Sequence, residues 1–118
     1  MSNKVLGDRG ESCAARYLGA QGYRILAQKY RTKTGEIDLI AKDHDTLVFV
    51  EVKTRRSVRC GLPAEAVNYR KQRRIIQTAM LYLREKQMDQ TPCRFDIVEV
   101  YAAGSEWRIH HLKGAFEV

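Results

Sequence analysis

The sequence predicts an α/β fold, in which helices cover a mixed β-sheet. The predicted elements run in the order helix, three strands, helix, two strands, an order that fits a sheet with helices packed against it. The apolar run Leu47-Val48-Phe49-Val50 has no polar alternation, which indicates a strand covered on both faces. A length of 118 residues suits one compact domain, so residues 1–118 are predicted to form a single unit.

The composition favours a polyanionic partner. The chain has 21 Lys and Arg against 14 Asp and Glu, a net charge of +7, and cations that neutralise phosphates gain from counterion release. Charge alone does not choose among DNA, RNA and an acidic protein. Three separated cysteines, Cys13, Cys60 and Cys93, are expected to be reduced thiols of a cytoplasmic protein. No apolar run approaches the ~18 residues of a membrane span, so no membrane is expected.

The first predicted helix covers residues from about Val5 to Gln21, where apolar and small side chains recur at helical spacing. Glu11 lies at the edge of the apolar stripe. The spacing leaves two interpretations open: Glu11 is solvated and pairs with Arg9 or Arg16, or it leans toward the sheet.

Three strands are predicted to follow the helix. They cover residues 23–30, 35–42 and 46–54. The turn between the first two strands carries Arg31 and Lys33, which are placed to contact a phosphate, although a charged turn can equally be solvated.

The third strand carries Glu51 and Lys53, whose side chains point to the same face because side chains alternate along a strand. If Asp38 lies opposite Glu51, then Glu36 lies opposite Lys53 and all four line one face. A slip of one residue sends Asp38 to the other face. The favourable register needs a connection of two or four residues, or a bulge.

Arginines follow the third strand directly. Arg55, Arg56 and Arg59 are predicted to lie in an exposed, mobile loop, where guanidinium groups can bind phosphate oxygens in pairs. Without the neighbouring acidic residues, a solvated loop would be the better interpretation.

The second helix is predicted to start at Pro63 and to run to about Lys86. Its polar side includes Lys71, Gln72 and Arg74. These three either reach the face that carries Glu51 or form the polar surface of an amphipathic helix.

The last two strands are predicted at residues 94–101 and 107–112. Asp96 is an additional candidate for a metal ligand, yet pairing with Arg94 explains it as well. His110 and His111 are adjacent and face opposite ways in a strand, so they do not share a metal. With His44 at a turn tip, the three histidines are interpreted as structural or surface residues.

Two carboxylates and a lysine on one sheet face can form a metal site. Carboxylate oxygens suit Mg²⁺ or Mn²⁺, which retain several waters. A lysine beside the ion can orient a water or neutralise charge that develops on a phosphate.

Asp38, twelve intervening residues and then Glu51-Val52-Lys53 resemble the catalytic signature of the PD-(D/E)xK nuclease superfamily, with Ile37 in place of the usual proline. The likeness covers nearly the whole chain. It includes Gly10-Glu11, GYRIL at 22–26, GEIDLIAKD at 35–43, LVFVEVKTRRS at 47–57, PAEAV at 63–67, Lys71 and RFD at 94–96. This set is similar to the bacterial YraN (UPF0102) family, predicted nucleases related to archaeal Holliday-junction resolvases.

The resemblance implies a restriction-endonuclease-like core and a metal-dependent endonuclease. Asp38, Glu51 and the Val52 carbonyl would hold Mg²⁺ or Mn²⁺, Glu11 would complete the site directly or through water, and Lys53 would position or activate the attacking water. The implied substrate is DNA, in particular branched DNA, and a homodimer would present two active sites to two strands.

Two other functions fit the same residues. In the first, the chain is a nucleic-acid-binding module that keeps this fold but has no useful hydrolytic rate. In the second, it is an interaction partner of other proteins, and its charged residues form ion pairs. Metal-dependent cleavage separates the enzyme from both.

Overall fold

One five-stranded sheet with a helix on each face organises the polypeptide in a computed structural model, which describes residues 2–56 and 67–118. The elements are α1 (Asn3–Ala20), β1 (Arg24–Thr32), β2 (Gly35–Asp43), β3 (Thr46–Arg55), α2 (Tyr69–Glu85), β4 (Cys93–Ala103) and β5 (Glu106–Phe116). This order confirms the predicted α/β class. Neither helix of the described residues is long and apolar enough to cross a membrane.

The five strands lie side by side in chain order. Neighbouring strands are antiparallel except β3 and β4, which are parallel. A parallel pair needs a crossover between its strands, and α2 lies in the connection from β3 to β4. The sheet is therefore mixed, as predicted.

Strand β3 is the centre of the core and is covered on both faces, as the sequence predicted. Leu47 and Phe49 belong to the apolar cluster on the α2 side. Val48 and Val50 belong to the cluster on the α1 side. All four are buried, because alternate side chains enter opposite cores and neither face meets solvent.

Helix α1 lies close against β3 at Gly10. A Cβ atom on Gly10 would lie 2.7 Å from Thr54 Cγ2 and nearer still to the Thr54 hydroxyl. Only glycine allows this approach, which fixes the next residue, Glu11, beside the sheet.

The predicted start of the second helix is wrong for the described residues. Asn68 is extended (φ −76°, ψ 171°), and its side chain accepts a hydrogen bond from the Lys71 amide, so the helix begins at Tyr69. Val67 precedes the helix but is buried in the α2-side core. The helix ends at Glu85, close to the predicted end. Pro63 lies outside the described residues.

Asp96 is held in a network on the α1 face, so pairing with Arg94 is the correct interpretation and the metal-ligand interpretation is wrong. It accepts hydrogen bonds from Arg94 Nε at 3.1 Å and from the Gly114 amide at 3.0 Å. Its Oδ2 lies 2.7 Å from His111 Nε2. Burial acts to raise the pKa of Asp96, but His111, Gly114 and Arg94 outweigh it and lower that pKa. Asp96 pairs with Val50, whose side chain faces α1.

The two other histidines fit their predicted surface roles. His44 and His110 are exposed. His111 is instead a structural residue, with Nδ1 3.0 Å from the Tyr17 hydroxyl.

The contact of Gly10 with Thr54 predicts opposite effects of alanine at two glycines of α1. Gly10→Ala should lower the free energy of unfolding by about 1–3 kcal/mol, the usual cost of overpacking. Gly7→Ala is the matched control, since a Cβ there meets nothing within 4 Å, and it should stabilise the chain by about 0.5–1 kcal/mol. Urea unfolding measures both. Equal effects of the two substitutions would contradict the close approach.

Candidate active site

The register of β2 and β3 decides which acidic side chains share a face. Leu39 pairs with Val50 and Asp43 with Thr46, so two residues, His44 and Asp45, form the turn. A two-residue connection is one of the lengths required for Asp38 to lie opposite Glu51. Of the two registers that the sequence left open, the structure has the one that places Asp38 opposite Glu51.

Backbone pairing between β2 and β3 ends at Leu39 and Val50. Beyond this point the Val52 amide donates to Asp38 Oδ2 at 2.7 Å, in place of a partner on the β2 backbone. β1 and β2 remain paired as far as Thr32 and Gly35, and β3 and β4 as far as Arg55 and Tyr101. The sheet is thus divided between β2 and β3, and Asp38 lies at the division.

A cavity of about 430 Å³ opens beside this division, between the strands and the first turns of α2. The strands contribute three carboxylates, and α2 contributes basic side chains. The lining includes Glu36, Asp38, Glu51, Arg70, Lys71 and Arg74. Glu51 is 6% exposed, so its charge requires close partners.

Glu51 is close enough to Asp38 for its charge to affect the ionisation of Asp38. Burial, followed by the charge of Glu51, raises the pKa of Asp38 to about 7, although the hydrogen bond from the Val52 amide opposes the increase. Glu11 and Glu36 raise the pKa of Asp38 further. The cavity therefore concentrates negative charge that a cation would stabilise.

Two ammonium groups face one oxygen of Glu51. Lys71 Nζ lies 2.7 Å from Glu51 Oε1, and Lys53 Nζ lies 3.5 Å from the same atom. Burial and the neighbouring Lys71 lower the pKa of Lys53. Burial also acts to lower the pKa of Lys71, but the hydrogen bonds with Glu51 and Lys53 and the charges of Glu51 and Asp38 together outweigh it and raise that pKa. Lys53 is therefore the lysine that more readily releases a proton.

Glu11 is neither solvated nor paired with Arg9 or Arg16. Its Oε1 lies 3.0 Å from Lys29 Nζ, and its side chain is 18% exposed. Lys29 also contacts Asp8 at 3.1 Å. Glu11 leans toward the sheet, as the second interpretation expected, and its charge reaches Asp38.

The predicted phosphate-binding residues divide into a first group at the cavity or in the turn before β2, and a second group away from the cavity. Arg74 lines the cavity together with Lys71. Lys33 is exposed in the turn before β2, and Arg31 is exposed but paired with Glu36 at 3.0 Å. The Thr34 hydroxyl contacts the Thr78 hydroxyl at 2.8 Å, which fastens this turn to α2.

The second group lies elsewhere. Arg55 is not in a mobile loop: it ends β3, and its Nε lies 3.1 Å from Glu99 Oε2. Arg56 donates to Asn3 Oδ1 at 2.8 Å. Gln72 donates to the Val67 carbonyl at 3.0 Å, so its side chain fixes the chain before α2 and does not line the cavity. Arg59 lies outside the described residues.

Sequence reasoning missed three partners. Lys29 binds Glu11, Lys71 binds Glu51 directly, and the fully buried Glu99 anchors Arg55. Each contact joins side chains on different elements. No local spacing signals such pairs.

Asp38 and Glu51 supply hard oxygen ligands of the kind that Mg²⁺ and Mn²⁺ accept alongside water. The adjacent Val52 carbonyl stays a predicted ligand. Within residues 2–56 and 67–118, no three His, Cys, Asp or Glu side chains form a ready metal site. The residues therefore fit an ion held by two carboxylates and several waters, and the contact of Glu11 with the ion, direct or through water, stays a prediction.

Removing the charge of Asp38 should stabilise the metal-free chain. Its raised pKa means that ionisation disfavours the folded state as pH rises from the unfolded value of 3.8 to about 7. Asp38→Asn, which keeps an acceptor for the Val52 amide, should gain about 1–3 kcal/mol at pH 8 in EDTA, and the gain should vanish near pH 4. Urea unfolding of the variant and of an exposed control, Asp45→Asn, tests this. An Asp38→Asn protein less stable than the parent at pH 8 would refute it.

Comparisons with known proteins agree on the family. The family model described as "Uncharacterised protein family UPF0102" matches residues 10–100. A UPF0102 protein of Clostridioides difficile is 46% identical over 116 residues, covering 98% of this chain and 100% of the relative. A UPF0102 protein of Symbiobacterium thermophilum is 56% identical over 100 residues, covering 85% of this chain and 84% of the relative.

Among solved structures, Pyrococcus furiosus SfsA in complex with Ca²⁺ aligns with a TM-score of 0.42 and 14% identity, over 99% of this chain and 66% of that chain. The family match spans the division between β2 and β3, with Asp38, Glu51 and Lys53 inside it. The chain belongs to the UPF0102 family.

Proposed function

We propose that the protein is a metal-dependent endonuclease that hydrolyses phosphodiester bonds in DNA, with branched or Holliday-junction-like DNA as its preferred substrate. One observation carries the proposal: Asp38, Glu51 and Lys53 meet where β2 and β3 separate. A buried Glu51 and a partly buried Asp38 beside a lysine of lowered pKa are costly for folding and typical of catalytic sites.

The side chains have distinct roles in this proposal. Asp38 and Glu51, with the Val52 carbonyl, would hold Mg²⁺ or Mn²⁺, which when bound supplies charge neutralisation and an activated water. Lys53 orients the attacking water and stabilises negative charge on the phosphate. Glu11 adjusts the charge around Asp38 from the α1 side, held there by Lys29.

Substrate contacts come from the basic rim of the cavity. Arg70 and Arg74 lie on its α2 wall, and Lys33 is exposed in the turn that is fastened to α2. Lys71 neutralises Glu51 in the metal-free chain. When a cation takes over that role, the Lys71 ammonium is free to bind a phosphate oxygen. A homodimer would present two such cavities to the two strands of a branched substrate.

The proposal is tested with a panel of labelled DNAs: a four-way junction, a duplex and a single strand, each with Mg²⁺, Mn²⁺ or EDTA. The parent should cut the junction with either metal and not in EDTA. Glu51→Ala and Lys53→Ala should each lose about 10²-fold or more in rate, as expected when a group acting on the reacting atoms is removed.

Lys86→Ala is the matched control, since Lys86 is an exposed lysine at the opposite end of α2 from the cavity. It should cut at the parental rate. A Lys53→Ala protein that cuts as fast as the parent would refute the assigned role.

A second candidate function is a non-catalytic nucleic-acid-binding module. The contact of Lys71 with Glu51 favours it, because an ammonium at 2.7 Å already supplies the charge that a metal would bring. This candidate predicts salt-sensitive binding of the junction and no cleavage of any panel member with either metal.

A further inference from the structure

A second groove lies between α1 and the start of β5. It encloses about 400 Å³ and is lined by Val5, Asp8, Arg9, Ser12, Arg16 and Trp107. Val5, Arg9, Ser12 and Arg16 recur at intervals of three and four residues, so they form one stripe along α1. The stripe is the helical wall of the groove, and the indole of Trp107 forms the opposite wall.

Trp107 is the only tryptophan in the chain. It pairs with Ala102 in the sheet and packs against the α1-side core, so its ring lies on the α1 face. The side chain is only partly buried, although it follows an exposed turn at Gly104 and Ser105. An aromatic surface beside a groove can stack on an unpaired base, an interaction that tolerates every base type.

The groove carries positive charge that the described residues do not neutralise. Arg9 and Arg16 are both exposed, and neither makes an ion pair with a residue in 2–56 or 67–118. The one acidic residue of the lining, Asp8, is already paired with Lys4 and Lys29, each at 3.1 Å. The two arginines are seven residues apart, about 10 Å along the helix.

The groove and the candidate active site lie at the same end of the sheet but on opposite faces, the groove on the α1 side and the cavity on the α2 side. Tyr101 of β4 pairs with Arg55 of β3 on one side and with Arg108 of β5 on the other. Trp107 therefore lies about 10 Å across the sheet from the end of β3, the width of two strand spacings. Arg56 contacts Asn3 at 2.8 Å and links this end of β3 to the start of α1.

We propose that this groove binds single-stranded DNA that passes around this end of the sheet from the active-site cavity on the opposite face. Arg9 and Arg16 bind successive backbone phosphates, and Trp107 stacks on an unpaired base between them. Bases of an intact duplex are stacked on one another and do not reach the indole, so the groove selects unpaired segments, such as those at a branch point. The substrate class rests on the proposed function, whereas the groove itself rests on Arg9, Arg16 and Trp107.

The single tryptophan makes the groove directly observable. Oligo(dT) is titrated into the full chain in EDTA at low salt, and tryptophan fluorescence is recorded. Stacking should quench the emission and saturate with the added strand. The double variant Arg9→Ala/Arg16→Ala should bind at least about tenfold more weakly. The slope of its log binding constant against log salt concentration should be smaller in magnitude by about two.

A double variant of two exposed arginines elsewhere, Arg24→Ala/Arg84→Ala, controls for net charge and should quench with an affinity closer to that of the parent. Absence of quenching, equal quenching by duplex DNA, or equal loss in both double variants would overturn the proposal. Equal quenching by poly-glutamate would assign the groove to an acidic protein and would overturn it too. Because the titration in EDTA measures binding and allows no metal-dependent cleavage, its outcome is independent of whether the chain cleaves DNA.

Discussion

The separation of β2 from β3 after Leu39 and Val50 is the constraint on which the candidate site depends. A paired backbone at this point would leave no place for a side chain between the strands. Because Asp38 accepts the Val52 amide hydrogen, the divided strands keep a hydrogen bond while the carboxylate is drawn into the sheet. Glu51 then comes to lie beside Asp38 at the cavity floor. A buried Glu51 beside a partly buried Asp38 opposes folding, and the neutralisation of Glu51 by Lys53 and Lys71 explains how the fold tolerates the pair.

The two helices complete the site from opposite faces of the sheet. Gly10 lets α1 lie against Thr54, and this contact places Glu11 at the edge of the site, where it pairs with Lys29 of β1. Asn68 caps α2 and fixes the first turn, from which Lys71 reaches Glu51. Both helices are held by the apolar side chains that β3 sends into each core. The apolar packing of the helices on the sheet thus holds these charged side chains close together. Without that packing they would repel one another or turn to solvent.

The sequence predicted the strands of the sheet and narrowed the register of β2 and β3 to a few choices, and for a physical reason. Alternation along β3 and a polar break of fixed length leave few registers that keep both faces apolar. Contacts between side chains on different layers could not be predicted from the sequence in the same way. The partners of Glu11 and Glu51 come from other elements, and Asp96 was ambiguous until its pairing with Val50 placed it on the α1 face. Arg55 was assigned to a loop because nothing nearby indicated its buried partner, Glu99, on a later strand.

The central claim is that Asp38 and Glu51 form a cation site at the divided strands. A crystal soaked in Mn²⁺ and measured at the manganese absorption edge tests it most directly. The account predicts one strong anomalous peak between these two carboxylates, at about 2.0–2.3 Å from an oxygen of each, with Lys71 displaced from Glu51. A soaked crystal with no peak there, and with Lys71 still bound to Glu51, would contradict it.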